Sequence, residues 1–426
     1  MSLNSLLQLL TVPVFPSAVF RLDNGLTFIH QYLPATPVVV ADIWLSAGAT
    51  REPEDCSGMA HFLEHMIFKG TEVLPPGVFD HVIENRGGMT NAATSHDYAH
   101  YFLTTAAPYL EDTLPYLAEL LLNAAIPEDE FVREREVVLE EIRQSYDDPD
   151  WIGFQALSES VYQRHPYGRS VLGTELNLMQ HSPEAMRCFH RAHYQPENMT
   201  VVIVGGIAQE PALELVNRTF QQFLERSACP QAEVIAEPLL AGIRRQELYL
   251  PRLEQARLMM AWTGPGVEQC RSAYGLDLLS VLLAAGRSSR LVRELREDQQ
   301  LVQAVSSNFS LQRESSLFTI SAWLKPHQLE RVESLICAHL NELQTTPISP
   351  EELARCKRLL CNDYAFSTET PSQLAGLYGY YSTLGEAGLA VSYPEQIKSF
   401  DSEDLQCLAQ QYLSPHSYAV TVLKPC

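Results

Sequence analysis

The chain has 426 residues, 46% hydrophobic and 19% charged, with a net charge of −22 at pH 7. That is enough apolar material for two or more cored domains, and so acidic a balance argues against nucleic acid, whose phosphates call for patches of Lys and Arg. No apolar run reaches the roughly 18 residues of a membrane span, and the nine cysteines are scattered with no Cys-x-x-Cys pair, a usage that suits a reducing, cytoplasmic compartment.

In chain order, the opening MSLNSLLQLLTVPVFP is apolar but carries no basic residue before Arg21 and is broken by Gln8, Pro13 and Pro16. It is expected to be an N-terminal arm, not a cleaved leader. FRLDNGLTFIH sets Asn24-Gly25 between alternating apolar residues, a strong hairpin signal. VVVADIWLSAGA then reads as a strand and a glycine turn, followed by an apolar helix that contains His61-Phe62-Leu63-Glu64-His65. On a helix, His61 and His65 share one face a turn apart, with Glu64 beside them. A hydrolytic zinc takes three protein donors and keeps one position open, so a third donor is expected, and the later helix REREVVLEEIR offers candidates. His96 and His100 are also four apart, but SHDYAHYFL alternates as a strand, where that spacing does not converge. They are expected not to be ligands, and neither are His165, His190 and His193.

Three blocks of the first half recur in order in the second. VVVADIWLSAGA matches ARLMMAWTGPGV, IPEDEFVREREVVLEEI matches ISPEELARCKRLLCNDY, and SPEAMRCFHRAHYQPENMTVVIVGG matches DSEDLQCLAQQYLSPHSYAVTVLKP. The expected fold is α+β: two homologous domains, each an antiparallel sheet with helices packed on one face. The expected boundaries are 1–225 for a zinc-bearing domain, 226–244 for a linker with no helical period, and 245–426 for the second domain. Where the first half has SGMAHFLEHMIF, the second has SAYGLDLLSVLL. The fold therefore closes its core without the His, Glu and His.

Four ordered segments, HFLEHMIFKGT, NRGGMTNAATSHDYAHY, REREVVLEEI and HPYGRSVLGT, resemble the inverted-motif zinc peptidases of the pitrilysin and mitochondrial processing peptidase family, across essentially the whole chain. The resemblance implies a zinc endopeptidase of the short-chain branch, in which two chains together make a clamshell. It implies His61 and His65 as zinc ligands and Glu64 as general base. Family members carry a second essential glutamate seven residues before the third ligand; Glu134 stands seven before Glu141, whereas Arg133 stands seven before Glu140. That spacing implies Glu141 on zinc and Glu134 in support. Asn91 and Ala92 resemble the edge that holds an extended substrate, and Phe68 a pocket residue. Arg296 resembles half of an Arg and Tyr pair that anchors substrate, but Gln303 stands at the tyrosine position and Gln300 at a preceding glycine. The resemblance therefore implies a dimer, either with a paralogous chain that supplies the pair or with a second copy. The other function class is an assembly subunit that keeps a metal site without proteolysis.

Overall fold

The computed structural model describes residues 17–230, 232 and 234–426, so the expected N-terminal arm lies outside the described residues. Eleven strands form among them: β1 (Ala18–Arg21), β2 (Thr27–Tyr32), β3 (Val38–Leu45), β4 (Met89–Thr94), β5 (Ala99–Ala106), β6 (Met199–Gly205), β7 (Ile243–Leu250), β8 (Ala256–Pro265), β9 (Val302–Leu311), β10 (Ser315–Leu324) and β11 (Tyr418–Pro425). They make two sheets, ordered β1-β2-β6-β3-β5-β4 and β7-β11-β8-β10-β9. Once the β1 hairpin strand is set aside, the orders are identical, with β2, β6, β3, β5 and β4 standing where β7, β11, β8, β10 and β9 stand. The three repeated blocks fall on β3 and β8, on the helices Glu128–Ser145 and Pro350–Phe366, and on the pairs Pro183–His193 with β6 and Ser402–Tyr412 with β11.

The two-sheet α+β architecture agrees with the sequence expectation, as does the first hairpin, and two features of the sheets are corrected. Each sheet is mixed, because β6 runs parallel to β2 and β11 parallel to β7, while the other pairs are antiparallel. A strand that returns through long helical connections can enter the sheet in either sense. The Asn24-Gly25 turn joins β1 and β2 through a three-residue loop, since Leu22 N–H still donates to Leu26 O at 2.8 Å. Finally, helices cover both faces of the sheets. Along β3, Val39, Ala41, Ile43 and Leu45 enter one core, while Val40 and Trp44 enter another. β6 divides the same way: Val201 and Ile203 face the first core, Val202 and Val204 the second. Such doubly buried strands read as continuous β-branched runs, not as alternation.

The second face of each sheet is covered by the opposite half. Helix Pro371–Leu384 lies on β3 and β6, and helix Pro149–Val161 lies on β8 and β11. Each exchanged helix makes its closest approach at a glycine. A methyl group on Gly379 would sit 2.1 Å from Trp44 Nε1, and one on Gly153 would sit 2.6 Å from Met259 Sδ. Hydrogen bonds reinforce the exchange. Tyr167 Oη donates to buried Asp97 at 2.9 Å, the Arg313 N–H donates to the same carboxylate at 3.0 Å, and the Glu314 N–H donates to Tyr167 Oη at 3.1 Å. Between the sheets, residues 222–230 and 234–241 have no regular structure, and β7 takes in the last two residues of the expected linker. This segment is tied down: Glu237 Oε2 accepts from the Arg164 and His165 amides at 2.8 and 3.2 Å. Among the described residues no helix is long and apolar enough to cross a membrane.

Because Trp44 is packed on a backbone with no side chain to yield, Gly379→Ala should destabilise the protein by about 1–3 kcal/mol, the usual cost of overpacking. Urea unfolding would read this as a lowered midpoint with an unchanged slope. An unchanged midpoint would show that the helix is free to shift off the sheet.

Candidate metal centre

The motif helix, Met59–Ile67, has its first turn held by a residue that the sequence reading did not single out. Glu52, itself buried, accepts from the Gly58 amide at 2.9 Å through Oε2 and from the Ala60 amide at 2.6 Å through Oε1. Two of the amides left open at a helix start are thereby satisfied from eight residues back or less. Burial pushes the Glu52 carboxyl up to about 8, against the pull of those two amides and of the Arg169 charge. At its other side the helix packs on Glu128–Ser145, with the Phe62 and Phe131 ring centroids 4.6 Å apart.

Those two helices bring three donors together. His61, His65 and Glu141 each offer one ligand atom, all within 4.8 Å of one another, and no other such group occurs among the described residues. His61 Nε2 lies 3.7 Å from Glu141 Oε1, and His65 Nε2 lies 3.5 Å from Glu141 Oε2. Bonds of about 2.0–2.1 Å to a tetrahedral zinc would set such donors about 3.4 Å apart, so the spacing fits with little adjustment. The donor chemistry fits too. Burial pulls His61 down to about 4, which keeps its imidazole neutral, as a ligand must be. Its Nδ1 is buried with no hydrogen-bond partner, while its Nε2 is the nitrogen that faces Glu141. Glu140, by contrast, turns outward to Arg143 at 3.6 Å.

Glu134 lies beside the cluster and is buried. Its Oε1 is 2.9 Å from His65 Nδ1, and its Oε2 is 2.6 Å from Lys69 Nζ. The carboxylate therefore fixes the His65 tautomer with the proton on Nδ1, leaving Nε2 as the donor atom. Burial disfavours the His65 imidazolium, yet the hydrogen bonds to Glu141 and Glu134 outweigh it and raise the His65 pKa. The bond to His65 lowers that of Glu141. Glu64 Oε2 accepts from Thr94 Oγ1 at 2.5 Å, and burial raises its pKa against that bond.

Thr94 ends β4, which is the edge of its sheet. Asn91 is exposed on this edge, its Oδ1 accepting from the Ala92 amide at 2.9 Å, while Ala92 packs inward on the first core. Phe68 is half-buried against Phe79 and Tyr101, each at 6.0 Å between centroids. Arg296 lies in the other half, on a π-helical turn over Val292–Asp298, and pairs with Glu297 at 2.7 Å. It is not among the groups that converge on His61. Gln303 is exposed on β9, and Gln300 adopts a left-handed φ of +49°, a conformation that glycine takes at no steric cost. The remaining histidines are engaged elsewhere or apart: His96 with Arg169 O at 3.0 Å, His100 with Asp42 at 3.0 Å, and His190 with Leu121 O at 2.7 Å. Sequence reasoning missed Glu52, Lys69 and Thr94. For Lys69 alone a local signal exists, because it follows His65 by four residues, in the turn just past the same helix.

Residues 27–175 match the family description "Insulinase (Peptidase family M16)", and residues 181–360 match "Peptidase M16 inactive domain". The chain is 30% identical to the zinc protease PqqE of Helicobacter pylori over 409 residues, covering 95% of this chain and 92% of that one. The chain belongs to peptidase family M16. Its fold agrees with the crystal structure of a protease from Helicobacter pylori at a TM-score of 0.90 and 28% identity, covering 96% of this chain and 99% of that one. The periplasmic protease PqqL of Escherichia coli shares the fold at a TM-score of 0.79 and 18% identity, with 96% of this M16 chain matching 48% of that longer one. In this M16 chain the motif helix lies within the first matched region, and the second matched region covers β7 to β10.

Glu52 supplies a test by pH. Its folded pKa of about 8 lies above the ordinary 4.5, so the stability it contributes is complete below pH 4.5 and is lost as the pH rises through 8. Glu52→Gln cannot accept both amides and should lower stability by about 1–3 kcal/mol, and its unfolding midpoint should vary less between pH 5 and 9 than that of the wild type. Parallel profiles for the two proteins would refute this account of the carboxyl.

Proposed function

We propose that this chain is a zinc-dependent endopeptidase acting on peptides or unstructured polypeptide segments, and the zinc-bearing subunit of a two-chain clamshell. The observation that carries the reading is the convergence of His61, His65 and Glu141, with Glu64 alongside and a free sheet edge next to it. His61, His65 and Glu141 would hold the zinc, which when bound supplies Lewis-acid polarisation of the scissile carbonyl and of the attacking water.

The chain's own groups account for the rest of the chemistry. Glu64, whose basicity burial raises, takes the proton of the attacking water on a carboxylate oxygen and delivers it to the leaving amine. Thr94 holds that carboxylate in place and ties it to β4. An extended substrate adds to the β4 edge, where Asn91 and the backbone of Ala92 offer its main chain hydrogen bonds, and Phe68 offers an aromatic wall to a side chain. Glu134 and Lys69 keep His65 oriented. Arg296 binds substrate from the opposing unit, and the partner, a paralogue or a second copy, completes the anchoring pair that Gln303 leaves unfilled. The match of this chain to about half of PqqL supports a pairing of two such units. The two domains are proposed as 1–225 and 245–426 around the linker 226–244, with β7 drawing residues 243 and 244 into the second, and the protein is proposed to be cytoplasmic.

Elemental analysis should find one zinc per chain, lost in His61→Ala and in Glu141→Gln but kept in Glu140→Gln. Full zinc in Glu141→Gln would reassign the third ligand. Glu64→Gln should keep its zinc and lose at least about a hundredfold in peptide turnover, the usual contribution of a general base.

Gln303 decides between the partners. On a fluorogenic peptide the isolated chain should turn over slowly, and both Gln303→Tyr and a paralogous chain that carries the Arg and Tyr should raise the rate, because anchoring the substrate backbone near the reacting atoms lowers the barrier. Fast turnover by the isolated wild type, unchanged in Gln303→Tyr, would discard the split site. No turnover under any of these conditions, with zinc bound, would favour the non-proteolytic assembly subunit.

A further inference from the structure

We infer that Cys188 and Cys229 form a redox-sensitive dithiol, at which a disulfide closes under peroxide and staples the irregular segment between the sheets to the first half. Cys188 stands on helix Pro183–His193 and is partly exposed. Its Sγ donates to the carbonyl of Ala228, the residue before Cys229, at 3.5 Å. Cys188 lies near enough to the Cys229 thiol to help raise its pKa, and Cys229 packs against the first core. The segment is held in register nearby, with Gln195 Nε2 donating to Leu224 O at 3.1 Å. Cys188 and Cys229 are therefore brought together by a helix and by an anchored stretch of irregular backbone. In a reducing compartment the pair remains a dithiol.

The chemistry balances with hydrogen peroxide as oxidant. Cys188, as thiolate, attacks one peroxide oxygen; the O–O bond breaks, hydroxide leaves and takes up the proton that Cys188 lost, and a sulfenic acid remains. The Cys229 sulfur then displaces the sulfenic hydroxyl, which departs with the Cys229 proton as water. Two thiols and one peroxide thus become one disulfide and two waters. Burial holds the Cys229 thiol up at about 12, which leaves the first attack on peroxide to Cys188, since that step requires a thiolate. Cys56 is the competing thiol, near enough to Cys229 to influence its charge.

The test uses the full chain, purified under reductant, freed of it and treated with hydrogen peroxide. Thiols counted after denaturation should fall from nine to seven, and peptide mapping without reductant should recover a fragment linking Cys188 to Cys229. The unfolding temperature should rise by roughly 5 °C, because the bond closes a long loop, and dithiothreitol should reverse the rise. Cys229→Ser should instead leave a sulfenic acid on Cys188 that dimedone traps. The inference is overturned if all nine thiols persist, if the bond joins Cys56, or if Cys188→Ser loses two thiols as the wild type does. A Cys188–Cys229 bond with no change in unfolding temperature would overturn the stapling. None of these readouts depends on peptidase activity.

Discussion

Each sheet of this protein has two apolar faces, and its own half supplies helices for only one of them. Val40, Trp44, Val202 and Val204 on the first sheet, and Met259, Ala261, Leu317 and Ala419 on the second, would face water were it not for the helix lent by the opposite half. Roughly 25 cal/mol per Å² of apolar surface favours that cover, and the exchange is reciprocal, so neither half reaches its low-energy state without the other. The Asp97, Tyr167 and Arg313 contacts lie within this interlock. Their role is specificity of docking, since a buried carboxylate is tolerated only where its donors are in place.

On that base the candidate metal centre is assembled from elements far apart in sequence. Glu52 fixes where the motif helix begins, the Phe62 and Phe131 contact fixes its distance from the second helix, and Thr94 ties Glu64 to the sheet edge. The His65, Glu134 and Lys69 chain places alternating charge behind one ligand. A carboxylate that is itself neutralised holds an imidazole without drawing off its proton, so the donor atom facing the centre stays the same one. Position and protonation are thus both set before anything binds.

Much of this was legible in the chain. The duplication was visible because β3 and β8, or β6 and β11, keep the same pattern of apolar residues and turns. The His, Glu and His were visible because helical spacing is local, and a seven-residue interval separated Glu141 from Glu140. What was not legible depends on contacts between distant segments. A parallel entry of β6 beside β2 leaves no mark on either strand. The exchanged helices read as ordinary apolar helices, with Gly153 and Gly379 giving no sign of which surface approaches them. Glu52 reads as one more surface acid in an acidic chain, because its two amide partners are defined only when the loop folds back. Gln303 and Gln300 were noticed as departures from a pattern, but the left-handed backbone at Gln300 is a property of the turn alone.

The reciprocal helices also bear on how such a chain could be divided. A peptide bond broken in the irregular stretch at 234–241 would separate the two halves covalently and leave every exchanged surface still covered. The fragments would stay clasped, as two pieces of one knot, and would come apart only on unfolding. A gene split at that point would therefore yield two polypeptides that must be made together, each still carrying the helix that covers the other.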